Sequence, residues 1–117
     1  MDAFYRDVCG IDGLENALTL LATVGSIPAK NRAIIDAGRK AMNIEIQPPQ
    51  VVGMDGVSVD RLSAEHGALA LAANAESLTI GQQIELIPGY ADLTNMLHRC
   101  FYGFRNGKLE REIPIVR

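Results

Sequence analysis

The chain has 117 residues, the size of one compact domain, and 48% of them are hydrophobic, which is enough to build a packed core. The charged fraction of 21% and the net charge of −3 exclude a disordered chain and provide no basic field for a nucleic-acid backbone. No apolar run reaches the roughly 18 residues that span a bilayer, and the N-terminus lacks a signal-peptide pattern. We therefore expect a soluble, cytoplasmic domain with neither nucleic acid nor membrane as a partner.

The first half of the chain predicts two paired strands. Residues 17–26 are apolar and β-branched, which predicts a strand. Ile27-Pro28 closes the run, and a helix cannot readily continue there because the residue before a proline resists helical backbone. Residues 32–36 form a second apolar run, ended by a turn at Ala37-Gly38 in which the carboxylate of Asp36 binds a local backbone group. We expect antiparallel pairing across a loop at residues 28–31.

The middle of the chain predicts edge structure followed by a longer strand. Pro48-Pro49 interrupts ladder pairing, and residues 51–57 indicate two short strands about an Asp-Gly turn. Residues 64–73 are alanine-rich and could form a helix by propensity. Their alternation and the glycine within the run favour a strand instead.

The second half predicts a strand, a short helix and a hairpin. Residues 82–88 alternate polar and apolar and end at Pro88-Gly89, so this strand delivers a loop. A short helix over residues 91–97 could be capped by Asp92 or Thr94. Asn106-Gly107 between two β-rich runs is a strong hairpin signal.

These elements together predict the fold class. The strands are short, turn signals recur about every ten residues, and strands do not alternate with helices. We therefore predict a mainly β domain, either an antiparallel β-barrel or a sandwich, with one short helix and a C-terminal β-hairpin.

The two cysteines, Cys9 and Cys100, are not spaced as a CxxC pair, and no cluster of cysteine and histidine indicates a structural zinc site. Without a secretory signal we expect both to be reduced thiols.

Several pieces in order resemble the C-terminal half of the D-serine dehydratase and D-threonine aldolase family. The pieces are residues 2–5, 17–28, 35–41, 62–67 and 84–98. Enzymes of that family have an alanine-racemase-type fold, in which an N-terminal β/α barrel holds pyridoxal phosphate and a C-terminal β domain closes the site. The resemblance implies that residues 1–117 are a single domain of the second kind, and that the cofactor barrel is absent from this chain.

The resemblance also implies the cofactor. Pyridoxal phosphate is the electron sink for breaking a bond at the amino acid α-carbon, and it needs a lysine beside its bound phosphate. Lys30, Lys40 and Lys108 match no cofactor lysine of the family. We expect the missing N-terminal domain to bind pyridoxal phosphate and this chain to be inactive alone.

A metal motif of the family falls on residues 88–92. The family pattern is Pro-x-His-x-Cys or Pro-x-His-x-Asp, and its divalent metal polarises the β-hydroxyl of the substrate. Here Tyr90 replaces the histidine and Asp92 keeps the carboxylate. A neutral phenol, with a pKa of about 10, is a poorer ligand than imidazole. Either Asp92 and other oxygens hold a metal weakly or the chemistry is metal-free, and we favour loss or weakening of the metal site.

Four side chains are therefore candidates for the site. Tyr90 could act as an acid or substrate contact, or be a half-buried aromatic residue; Asp92 could serve the site or cap a helix. Glu65 and His66 lie in a Ser-x-Glu-His-Gly piece like that of the family, where a carboxylate can orient an imidazole. In a strand they would point to opposite faces. His98 is six residues from Asp92 and is expected to be structural.

The resemblance implies a lyase, either aldolase or dehydratase, or else a racemase, acting on a small D-configured β-hydroxy amino acid. The partner would be a barrel domain in the same or a separate chain. An alternative is a stand-alone β module for binding or assembly, without catalysis. A domain that normally packs on a barrel exposes an apolar patch, so we predict a homodimer or larger oligomer.

Overall fold

The computed structural model describes residues 1–116 and forms eight strands and two short helices in them. In chain order these are α1 (Ala3–Asp7), β1 (Leu20–Ala29), β2 (Arg32–Ile35), β3 (Gln50–Val51), β4 (Val57–Leu62), β5 (Gly67–Leu71), β6 (Gln83–Ile87), α2 (Ala91–Asn95), β7 (Cys100–Arg105) and β8 (Lys108–Pro114). No helix among the described residues is long and apolar enough to cross a membrane.

Six strands form one antiparallel sheet in the order β3-β6-β1-β2-β5-β4. The edge strands β3 and β4 contact each other, so the sheet curls into a nearly closed barrel. Strands β7 and β8 pair separately as the C-terminal hairpin, with its turn at Asn106-Gly107. The predicted mainly β fold and its closing hairpin are confirmed.

The core of the barrel follows from the two-residue period of its strands, since alternate side chains point inward. Residues of the connecting segments, Met42 and Leu78 among them, join this core. The inward strand residues are Ala22, Val24, Ala33, Ile35, Val57, Val59, Leu62, Leu69, Leu71, Ile84 and Leu86.

Strand β1 differs from its prediction at both ends. It begins at Leu20 and runs through Pro28 to Ala29, and the connection to β2 is a turn of only Lys30-Asn31. The register of the β1–β2 pair shifts between Ser26 and Ala29. A proline is tolerated at such an irregularity because no ladder hydrogen bond is required of its nitrogen. The antiparallel pairing itself is confirmed.

The middle of the chain also differs in detail. Strands β3 and β4 both lie at sheet edges, as expected, but they do not pair about the Asp55-Gly56 turn, since β3 pairs with β6 and β4 with β5. Strand β5 begins only at Gly67, and Ala64 to His66 form the turn before it.

Antiparallel pairing gathers several connections at one end of the barrel. The end of β2, the β4–β5 turn and the end of β6 all lie there, and we call residues 36–49, 63–66 and 88–98 the site end. Helix α2 is fixed to this end by Thr94, whose Oγ1 accepts the N–H of Asn43. The N-terminal segment joins it because Ala3 and Phe4 donate backbone hydrogen bonds to the carbonyls of Pro88 and Gly89.

Candidate functional site

Tyr90 and Asp92 lie together where β6 leads into α2. Tyr90 is the N-cap residue of the helix and Asp92 is in its first turn. The hydrogen bond from the Tyr90 hydroxyl to the Asp92 carboxylate, with the negative charge of that carboxylate, raises the pKa of Tyr90 to about 12. The phenol is therefore protonated at neutral pH.

Two aromatic rings, those of Phe4 and Tyr5, pack against the ring of Tyr90. The ring of Tyr90 meets that of Phe4 edge-on, with centroids 5.6 Å apart, and lies 6.2 Å from that of Tyr5. Tyr5 also raises the pKa of Tyr90, by less than Asp92 does. Sequence reasoning missed Tyr5 as a member of the site, because it is far from Tyr90 in sequence and only the fold brings helix α1 to α2.

The prediction that Asp92 or Thr94 caps α2 is wrong. The N-cap residue is Tyr90, and no side chain of α2 caps the helix. Thr94 instead donates from Oγ1 to the carbonyl of Tyr90. The carboxylate of Asp92 is turned to the Tyr90 hydroxyl and not to the backbone of the helix.

Asp2 provides the cap from the other end of the chain. Its carboxylate is 1% exposed and accepts the N–H of Tyr5 at 2.9 Å and that of Ala91 at 2.5 Å. An aspartate before a short helix is a recognisable cap for α1. The bond to Ala91 joins residues 89 apart and left no signal in the sequence.

Gly89 allows the loop before α2 to approach its neighbour closely. A Cβ atom at this position would lie 1.6 Å from the carbonyl oxygen of Gln47. Only glycine, which has no Cβ atom, fits at this position. The Pro88-Gly89 pair, predicted as a turn signal, thus also sets the position of Tyr90.

Glu65 and His66 lie in the turn before β5 and not within the strand, so the expectation that they point to opposite faces of a strand is wrong. Both side chains are exposed. Glu65 pairs with Lys40 at 2.5 Å, which raises the pKa of the lysine. The turn packs on the segment after β2, because Arg39 and Lys40 donate backbone hydrogen bonds to the carbonyls of Ser63 and Ala64.

The structure places the two candidate pairs at the same end of the barrel without joining them. Within residues 1–116, no hydrogen bond links Glu65 or His66 to Tyr90 or Asp92. His66 lines a shallow depression of about 280 Å³ with Arg61. A larger groove of about 850 Å³ runs between the start of β1 and the hairpin, and neither Tyr90 nor Asp92 lines it.

The side chains of His98 and Asp36 form hydrogen bonds with backbone groups of other segments. Nε2 of His98 lies 2.7 Å from the carbonyl oxygen of Ala41, which ties the segment after α2 to the site end, as expected for a structural residue. Asp36 does not bind locally: its carboxylate accepts the N–H of Thr23 at 2.7 Å, across to strand β1. The local turn bond predicted for Asp36 is therefore wrong.

The side chains present do not fit a metal or a cofactor aldehyde. Among residues 1–116, no three or more His, Cys, Asp or Glu side chains are grouped so that they could hold a metal ion. Asp92 is engaged by the Tyr90 hydroxyl. Lys40 is paired with Glu65, and Lys30 and Lys108 are exposed in the β1–β2 turn and strand β8.

Comparison with known proteins gives consistent matches. Residues 17–104 match the family described as "Putative serine dehydratase domain". A D-threonine aldolase from Arthrobacter sp is 36% identical over 82% of this chain and 25% of its own length. The crystal structure of a D-threonine aldolase from Filomicrobium marinum superposes on 97% of this chain with a TM-score of 0.89 and 30% identity, over 32% of that protein.

A D-threo-3-hydroxyaspartate dehydratase from Delftia sp. HT23 superposes on 98% of this chain with a TM-score of 0.80 and 25% identity, over 36% of that protein. The chain thus spans a quarter to about a third of the length of these relatives. Because the family match covers most of the chain, we conclude that it belongs to the serine dehydratase domain family.

Proposed function

We propose that this chain is the C-terminal, site-closing domain of a pyridoxal-phosphate-dependent lyase that acts on D-configured β-hydroxy amino acids. The observation that carries the proposal is the superposition of 97% of the chain on a D-threonine aldolase. D-Threonine and D-threo-3-hydroxyaspartate, which the names of the relatives give, are both β-hydroxy amino acids. Cleavage and dehydration are the two reactions that these names support.

The contribution of this chain would be the polar surface of the site end. Tyr90, Asp92 and Tyr5 provide two phenols and a carboxylate held by the fold, and such groups can orient a hydroxyl or an ammonium group of a small substrate. Glu65 and His66 stay candidate catalytic residues on the neighbouring turn. Pyridoxal phosphate, when bound by the barrel domain, supplies the electron sink.

The partner in this proposal is an N-terminal β/α barrel domain, in the same or a separate chain. A homo-oligomer would bring two such domains together. The alternative is a stand-alone β module for binding or assembly that does no catalysis. A racemase-like role for the complete protein is the further alternative.

A chimera tests the proposal. The matched C-terminal part of the Arthrobacter D-threonine aldolase is replaced by this chain, and the purified protein is assayed for cofactor binding, D-threonine cleavage and D-threo-3-hydroxyaspartate dehydration. We expect the chimera to catalyse one of these lyase reactions and the isolated chain to catalyse neither. A folded, cofactor-loaded chimera without lyase turnover would contradict the proposal and favour the binding module; racemisation alone would favour the racemase.

A further inference from the structure

We propose that the depression beside the β4–β5 turn binds a small carboxylate without an ammonium group, and that Arg61 and His66 donate hydrogen bonds to its oxygens. The depression has a volume of about 280 Å³. Besides these two side chains it is lined by Ile34, Leu62, Ser63, Gly67 and Ala68. The site belongs to this chain alone and does not rest on the proposed function.

A β-bulge in β4 turns the side chain of Arg61 to the outer face of the barrel. The pairing of β4 with β5 skips Asp60, between Val59 and Arg61, so β4 has one residue more than its partner here. Without this extra residue, the alternation along the strand would point Arg61 into the core and Leu62 outward. With it, Leu62 is only 6% exposed, and Arg61 is exposed on the outer face, opposite Ala68.

A small residue leaves room beside this guanidinium. Ala68 of β5 stands between Arg61 of β4 and Ile34 of β2 in one cross-strand row. A methyl group between two longer side chains leaves a hollow, and apolar atoms of Ile34, Leu62 and Ala68 line it. A ligand that fills the hollow therefore needs a short apolar body as well as an anionic group.

The backbone of His66 is held by Ser63 at three points. The carbonyl of His66 accepts the N–H of Ser63 at 2.8 Å and the hydroxyl of Ser63 at 3.0 Å, and the N–H of His66 donates to that hydroxyl at 3.3 Å. The imidazole thus lines the depression from a turn that is fixed before a ligand arrives. A donor fixed in this way binds with a smaller loss of conformational entropy.

The charges around the depression favour an anion. Among residues 1–116, the guanidinium of Arg61 forms no ion pair and no side-chain hydrogen bond. The two glutamates of the site end, Glu45 and Glu65, are paired with other cations. In the part of the chain that the structure describes, no carboxylate lines the depression, and Asp60 of the bulge lies outside its lining. The paired N–H donors of a guanidinium fit the two oxygens of a carboxylate, while an ammonium group on the ligand would be repelled.

The decisive experiment titrates butyrate into the isotope-labelled chain at constant ionic strength and follows the backbone amide NMR shifts of residues 61–68. The wild type is compared with Arg61→Gln and with the matched control Arg32→Gln. Arg32 is an exposed arginine on the same outer face, opposite Ala70, and does not line the depression. We expect saturable shifts, a Kd at least about tenfold higher in Arg61→Gln, and a change of less than about twofold in Arg32→Gln. Equal effects of the two substitutions, or no saturable shift at residues 61–68, would overturn the inference.

Two further probes test the class of ligand in the same titration. α-Aminobutyrate has the carbon chain of butyrate and an added ammonium group, and inorganic phosphate is an oxyanion without an apolar body. We expect each to bind at least about threefold more weakly than butyrate, because one is repelled by Arg61 and the other buries no hydrocarbon. Binding of α-aminobutyrate as tight as that of butyrate would instead indicate an amino-acid site, and tighter binding of phosphate would indicate a phosphate site. Either result would contradict the carboxylate site.

Discussion

Two neighbouring side chains raise the pKa of the Tyr90 hydroxyl, Asp92 most strongly and Tyr5 less. The variant Asp92→Asn removes the carboxylate charge, which is part of the largest contribution to the raised pKa of Tyr90. We therefore expect the pKa of Tyr90 to fall from about 12 toward the usual value of about 10. Ultraviolet titration of the phenols, with Tyr90→Phe to assign the transition, measures the shift.

The matched control for that titration is Glu112→Gln. Glu112 lies opposite Tyr102 in the hairpin. The pKa of Tyr102 is raised mainly by its interaction with Cys100, and the charge of Glu112 raises it further. This variant should lower the pKa of Tyr102 and leave that of Tyr90 unchanged. An Asp92→Asn chain whose Tyr90 still titrates near 12 would show that Asp92 is not its partner.

The same shift fixes the direction of a pH effect on stability. Because the folded pKa of Tyr90 lies above the unfolded value, the contribution is fully present below pH 10 and is lost between about pH 10 and 12. Chemical denaturation across this range should show a smaller loss for Tyr90→Phe than for the wild type. An equal loss in both chains would assign the effect to other groups.

Asp2 links the two helices through a carboxylate that is almost fully buried. Asp2→Ala leaves the N–H groups of Tyr5 and Ala91 without this acceptor, and an unsatisfied buried donor costs about 1–3 kcal/mol. We expect the free energy of unfolding to fall by about 2–4 kcal/mol, measured by urea denaturation. Asp12→Ala, at an exposed position, is the control, and equal stabilities of the two variants would refute the link.

The loop from β6 to α2 depends on the close approach of Gly89 to the backbone of Gln47. Gly89→Ala places a methyl group on the backbone of Gln47, which only a shift of the loop can relieve. We expect a loss of about 3 kcal/mol or more. Gly25→Ala is the control, since its Cβ would lie 3.8 Å from the nearest atom; equal melting temperatures would contradict the prediction.

Elements with local signals were predictable from the sequence. Strand β6 follows from alternation and Pro88-Gly89, and the hairpin β7–β8 follows from Asn106-Gly107. The extension of β1 through Pro28 was not predictable, because the shifted register that accommodates the proline is set by the partner strand β2.

The candidate site was predictable only in part. Tyr90 and Asp92 are two residues apart, so a motif could reveal them together. Tyr5 and Asp2 join them through contacts across most of the chain, and no local pattern carries such information. The placement of Glu65 and His66 in a turn depends on packing against Gly38, where a Cβ would lie 2.5 Å from the backbone nitrogen of His66.

Large apolar side chains stay exposed outside the barrel core. On the hairpin they include Phe104 and Leu109, which are cross-strand neighbours and more than half exposed. We propose that this face drives self-association and expect a dimer or larger oligomer by sedimentation. Phe104→Ser with Leu109→Ser should shift the chain toward monomer and Val8→Ser should not; a wild-type monomer at high concentration would contradict this.

We propose that the site end of this domain completes the active site of a lyase. The most direct measurement compares kcat/KM of the active chimera with those of its Tyr90→Phe and Tyr102→Phe variants, each of which loses one phenolic hydroxyl. We expect a decrease of about tenfold or more for Tyr90→Phe and less than about twofold for Tyr102→Phe. Equal values for the two variants would contradict a role of this end of the barrel in catalysis.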